Sequence, residues 1–188
     1  MVILNHSASQ LQWGAAIGAS LVAALWDMRT HRIPNWLTFP VLFGGLAAAY
    51  GIGSWNGLGD AFAGCLLLGV PYFLLFVFAG GGAGDAKIMA ALGAWLGLAN
   101  AVPVLACVSV SGAIMGLAYA AWRRRLVPVL GNMSTIAMSA GLMTLGRAKI
   151  SDAQAMLPDE KKMTAMPYGL AIFIGICLAA GSRLLWHA

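Results

Sequence analysis

Between the apolar run Ala61–Ala79 and a second one that begins at Ile88 stands Gly80-Gly81-Gly82-Ala83-Gly84-Asp85-Ala86-Lys87. If the flanking runs are membrane helices, Asp85 is a carboxylate at a membrane edge. Charge is expensive there and marks a functional site by default. Upstream, a second acid ends the first apolar run, in Trp26-Asp27-Met28-Arg29-Thr30-His31-Arg32-Ile33-Pro34-Asn35. The rest of the chain is read as the scaffold that brings Asp27 and Asp85 together.

Composition supports the membrane reading. The chain has 188 residues, 61% hydrophobic and 9% charged, with a mean hydropathy of +0.83. A soluble domain carries roughly 25% charged residues, so this sequence has too few to cover a water-facing surface. The apolar runs are continuous rather than alternating, which favours helices over a barrel. The expected fold is all-α: a polytopic membrane helical bundle forming a single domain over 1–188. About six spans are expected, at 11–27, 36–52, 61–79, 85–98, 103–122 and 167–186. The fourth is short against the ~20 residues of an upright crossing. Loops are expected at Met28–Asn35, Gly53–Gly59 and Asn100–Val102, and the mixed segment 126–166 reads as interfacial or re-entrant. Met1–Gln10 has no Lys or Arg, so no cleaved signal peptide is expected.

The net charge of +5 does not point to nucleic acid, because the basic residues sit mostly beside apolar runs. With six spans, Arg29, Arg32, Lys87, Arg123, Arg124, Arg125, Arg147, Lys149, Lys161 and Lys162 all fall on one side, and only Arg183 on the other. The positive-inside rule then places Asp27 and Asp85 together at the cytoplasmic face and both chain ends outside. Cys65, Cys107 and Cys177 each lie inside an apolar run without Cys-x-x-Cys or His spacing, so no metal and no cofactor is expected.

Two neighbouring carboxyl groups cannot both ionise cheaply and share a proton. One then serves as general base on water while the other, protonated, polarises a carbonyl, as in aspartic proteases. Glycines before Asp85 would let an extended peptide approach the backbone. Plainer roles exist for each residue. Asp85 would suit a helix N-terminus, Asp27 would pair with Arg29 or Arg32, the glycines would serve a turn or close helix packing, and Lys87 would anchor the interface. The stretch is no phosphate loop, since Gly and Lys are not adjacent and no Ser or Thr follows. A carboxylate-lined proton or ion transporter and a non-catalytic membrane subunit are the rival classes.

Four elements in order resemble the type IV prepilin peptidases. They are Asp27 with Arg32-Ile33-Pro34-Asn35, then Gly82-Ala83-Gly84-Asp85-Ala86-Lys87, then Ala90-Ala91-Leu92-Gly93-Ala94-Trp95-Leu96-Gly97, then Pro167-Tyr168-Gly169-Leu170-Ala171-Ile172 with Gly175. The resemblance implies a membrane aspartic endopeptidase of the Gly-x-Gly-Asp type in the bacterial inner membrane. It would cut the basic leader of prepilins after a glycine, at the cytoplasmic face. Asp27 and Asp85 would take the catalytic positions, and Gly82 and Gly84 the family's glycines. The partners implied are the prepilin leader, the lipid bilayer and the pilus assembly machinery. The paired Cys-x-x-Cys motifs of bifunctional members are missing, so N-methylation is not expected. The chain looks like the short form that accompanies Flp-type, tight-adherence pili.

Overall fold

The computed structural model describes residues 2–79, 82–122 and 168–186, and every described element is helical. These are α1 (Val2–Thr30), α2 (Asn35–Ala79), α3 (Ala83–Trp122) and α4 (Gly169–Trp186). The segment 126–166, expected to be interfacial, and the basic block Arg123–Arg125 lie outside the described residues.

α2 and α3 are apolar and long enough to cross a membrane over Asn35–Val77 and Ala83–Tyr119, and α4 offers a shorter apolar stretch. Their outward faces are apolar too. Phe39, Phe43, Phe62, Val110 and Ile114 are all exposed, a distribution suited to lipid rather than water.

Each long helix contains one break. In α2 it falls at Ser54 (φ 51°, ψ −138°). A side chain added at Gly57 would strike the carbonyl of Ala49. Eight residues of straight helix would separate these positions by about 12 Å, so the chain doubles back here. The expected loop Gly53–Gly59 is therefore replaced by a single non-helical residue, with helix on either side.

The break in α3 falls at Gly97 (φ 70°, ψ 176°), in the region that favours glycine. The Leu98 N–H that opens the next helical stretch is capped from another element, donating to Asp60 Oδ1 at 3.1 Å. This corrects the expected connection at Asn100–Val102, which is helical. The connection lies where the backbone permits the turn and a carboxylate can cap it. Met28–Asn35 is likewise shorter than expected. α1 continues through Thr30, where His31 N–H donates to Asp27 O (2.8 Å), and α2 starts right after Pro34. α1 also extends back through residues expected to precede the first span, a stretch with no Pro or Gly to stop it.

Side-chain and glycine contacts give the packing direction. Trp95 Nε1–H donates to Val41 O (2.7 Å) and Lys87 Nζ to Asn35 Oδ1 (2.9 Å), so the first parts of α2 and α3 run parallel. Added side chains at Gly64 and Gly69 would meet Gly93 and Ala90 respectively, so the second part of α2 returns antiparallel to α3. Backbones in direct contact are how helices attract within a membrane, where van der Waals packing replaces the hydrophobic drive. Leu68, Ile88, Met89, Leu92, Val104, Val108, Ile172 and Ile176 form the buried centre. α1 packs mainly on α4 and α3 and less on α2, so α1 is attached to the bundle mainly through α4.

Candidate active site

The end of α1, the starts of α2, α3 and α4, and the residues before α3 all meet at one end of the bundle, and both aspartates are there. Asp27 lies one turn before the end of α1 and is only 6% exposed. Its Oδ2 accepts a hydrogen bond from the Gly169 N–H at 2.8 Å. That N–H belongs to the first turn of α4 and has no partner within its own helix. The helix N-terminus favours an acidic group there. Gly169 allows a close approach at this position: an added Cβ would lie 3.0 Å from Asp27 Cβ and 3.2 Å from Ala24 Cα. Arg29 and Arg32, expected as plain ion-pair partners of Asp27, are exposed. The Asp27 carboxylate instead turns inward.

Asp85 sits in the first turn of α3, half-buried, with its N–H donating to Gly82 O at 3.1 Å. It interacts electrostatically with Asp27, so the fold brings the two expected residues together. The two glycines differ in their surroundings. A Cβ on exposed Gly82 would come 2.7 Å from Asp85 Oδ2, whereas one on Gly84 would meet Ile33 Cβ at 3.0 Å and Ile33 N at 3.2 Å. Gly82 leaves room for the carboxylate, and Gly84 lets α3 close on the α1–α2 connection. Lys87 is exposed, and its ammonium donates to Asn35 Oδ1.

Two tyrosines complete this end of the bundle. Tyr72, on α2, is 5% exposed. Its ring centroid is 6.0 Å from that of Tyr168, the residue just before α4. Tyr168 and Ser109 lie within hydrogen-bonding reach of the Tyr72 hydroxyl, and Asp85 is near enough to both phenols for its charge to act on them. The Tyr168 hydroxyl rests against Gly112 on α3, in space that a Cβ would fill. Beside Asp85, an apolar groove of about 380 Å³ runs between α2 and α3 past Val70, Phe73, Phe76, Ala83, Ala86 and Lys87. Among the described residues, no three His, Cys, Asp or Glu side chains converge as metal ligands.

The family model for the type IV leader peptidase family matches residues 15–117, which include both aspartates. This chain belongs to that family. Curated relatives are named prepilin leader peptidase/N-methyltransferase. The one from Burkholderia pseudomallei (strain 1026b) is 37% identical over 132 residues, covering 60% of this chain and 40% of the relative. That from Aeromonas hydrophila is 42% identical over 98 residues, covering 48% and 33%. The one from Pectobacterium carotovorum is 37% identical over 122 residues, covering 60% and 43%. The chain thus spans less than half the length of these relatives. No solved structure matches it.

Sequence reasoning singled out the two acids and did not single out the tyrosines beside them. Tyr72 is the one hydroxyl-bearing residue in Ala61–Ala79 and follows Pro71, so an isolated polar group in an apolar run was the available signal. Tyr168 was visible within Pro167-Tyr168-Gly169, but nothing in the sequence gave its neighbours. Asp60, the acid at the other end of the bundle, caps a helix.

Proposed function

We propose that this chain is a membrane aspartic endopeptidase that removes the leader of type IV prepilins of the Flp kind, cutting after a glycine. What supports this most directly is the arrival of Asp27 and Asp85, on separate helices, at the same end of an apolar bundle, near enough for their charges to interact. Membership of the leader peptidase family supplies the substrate class. The curated relatives are named as prepilin leader peptidases.

The chemistry needs one water and one shared proton. The ionised carboxylate removes a proton from water as the oxygen attacks the scissile carbonyl carbon. The protonated carboxyl donates to the carbonyl oxygen, giving a neutral gem-diol. Collapse returns a proton from the gem-diol to the dyad, while the leaving nitrogen is protonated as its bond to carbon breaks. Products are a free leader carboxylate and a new amino terminus. The exposed edge at Gly82 lets an extended leader approach Asp85. The apolar groove beside it accommodates the apolar part of a membrane-anchored substrate. Ten of the eleven basic residues fall on the aspartate side under a six-span arrangement, which puts cleavage at the cytoplasmic face of the inner membrane. The proposal covers the peptidase reaction only, not N-methylation.

Processing of a co-expressed prepilin is the test, comparing wild type with Asp27→Asn and Asp85→Asn at matched membrane levels. Each single change is expected to abolish cleavage while the protein still inserts. Normal processing by either variant overturns the two-aspartate mechanism.

A further inference from the structure

Each of the four helical elements brings one protic side chain to the same end of the bundle: Asp27 from α1, Tyr72 from α2, Asp85 from α3 and Tyr168 at the head of α4. We propose that Tyr72 and Tyr168 form a hydroxyl pair that positions Asp27 relative to Asp85. They would act through the backbone of residues 168–169 rather than by touching substrate. The inference deepens the peptidase reading above and rests on it for its kinetic arm.

Among the described helices α1 packs mainly on α4 and α3, and it meets α2 where Trp26 packs edge-on against Trp36 (centroids 5.3 Å), so Asp27 is placed chiefly by α4 and α3. α4 grips the Asp27 carboxylate through one backbone group, the Gly169 N–H. The direction of that N–H is set by residue 168, because the peptide plane joining 168 and 169 is rigid. Tyr168 is in turn fixed at three points. Its carbonyl accepts the Ile172 N–H at 3.2 Å, starting α4. Its ring packs at 6.0 Å from Tyr72. Its hydroxyl occupies the gap left by Gly112 on α3, within reach of the Tyr72 hydroxyl, which in turn has Ser109 of α3 beside it. A continuous path therefore leads from α2 and α3 to the Asp27 carboxylate.

Hydroxyls at this depth have few competitors for their hydrogen bonds. Hydrogen bonds between helices thus add to their association inside a membrane. Packing of the rings alone would leave Tyr168 free to rock about its Cβ. The hydroxyl pair adds direction, and direction matters here because small displacements of catalytic groups are costly in rate. Tyr72 and Tyr168 are thus positioning residues, and the phenolic oxygens are the essential part.

The test uses the full chain, purified in nanodiscs, with Tyr72→Phe, Tyr168→Phe and the double variant, each retaining the rings. Turnover of a synthetic prepilin leader substrate is measured beside thermal stability. The inference expects kcat to fall about tenfold in each single variant, the scale of one lost hydrogen bond. KM should stay within about twofold, and the double variant should be no worse than the singles, because the hydroxyls act as one unit. Wild-type kcat in either Phe variant overturns it. So does a fall in kcat that only tracks a fall in stability.

A second arm does not depend on activity. Spin labels on Arg29→Cys and Ala83→Cys, with Cys65, Cys107 and Cys177 replaced by Ala, report the separation of the α1 and α3 ends. A broader distance distribution in the Phe variants supports the inference, and an unchanged one overturns it. If wild type fails to cleave any leader, the peptidase reading falls, and the distance arm alone decides the hydroxyl pair.

Discussion

The N–H of Gly169 reaches Oδ2 of Asp27 at 2.8 Å and joins residues far apart in the chain. It ties the acid on α1 to the first turn of α4. Proline in place of Gly169 removes this donor, and alanine controls for the Cβ that proline also adds. Gly169 is the first residue of α4, where proline is tolerated. Tyr168 stands just before it, in the capping position, and its carbonyl accepts the Ile172 N–H. Gly169→Pro is expected to lower turnover by roughly tenfold or more, since a buried polar group loses its partner. Gly169→Ala keeps the donor but adds a Cβ 3.0 Å from Asp27 Cβ, and its loss should be smaller. Steady-state cleavage by the two variants checks this. Equal activity for proline and wild type would show the bond to be incidental.

The glycines before Asp85 predict a graded response. At Gly84 an added Cβ presses on Ile33 backbone atoms 3.2 and 3.4 Å away, and backbone gives way poorly. Overfilling a packed contact costs about 1–3 kcal/mol. Gly84→Ala should reduce thermal stability measurably, and Gly84→Val should reduce it further and abolish cleavage. Gly82 faces only the Asp85 carboxylate. Gly82→Ala should therefore leave stability unchanged while lowering kcat, because the carboxylate alone has to turn aside. Melting curves and cleavage rates on the same preparations separate the two glycines.

These contrasts indicate what a sequence discloses and what it withholds. The acids at 27 and 85 were legible because charge beside apolar runs is costly and needs a reason. Helical architecture was legible from the uninterrupted runs. Helix connections were less so, because Gly53–Gly59 reads as a turn by composition, and only the contact between Ala49 and Gly57 reduces it to a break at Ser54. At Gly97 the turn depends on an acid from another helix, Asp60, whose proximity no local pattern encodes. The hydroxyl pair was hidden for the same reason. Tyr72 and Tyr168 lie on elements far apart in sequence, and their meeting is a tertiary fact.

Lys87 offers a test in the opposite direction. Its ammonium is exposed and donates to Asn35 Oδ1 at 2.9 Å. An exposed polar pair of this kind contributes little, of the order of 1 kcal/mol or less. Lys87→Gln is expected to keep at least half of wild-type turnover and nearly all of the thermal stability. A loss of a hundredfold in kcat with normal folding would instead assign Lys87 a direct part in the chemistry.

Asp60 separates a structural acid from a catalytic one. It accepts the Leu98 N–H at 3.1 Å where Gly97 turns with φ 70°, so it is a cap supplied from another helix. Asn retains the accepting oxygen, and Ala does not. Replacing a capping acid by Ala costs about 0.5–2 kcal/mol, and Asn caps as well as Asp does. Asp60→Asn should therefore match wild type in both melting temperature and cleavage. Asp60→Ala should melt several degrees lower yet keep its kcat at temperatures where it is folded. Asp27→Asn and Asp85→Asn should behave in the reverse way, folded but without turnover, because amides cannot exchange the proton the reaction needs. Were Asp60→Asn also inactive, the opposite end of the bundle would have to participate in the reaction, and a two-carboxylate mechanism would no longer be sufficient.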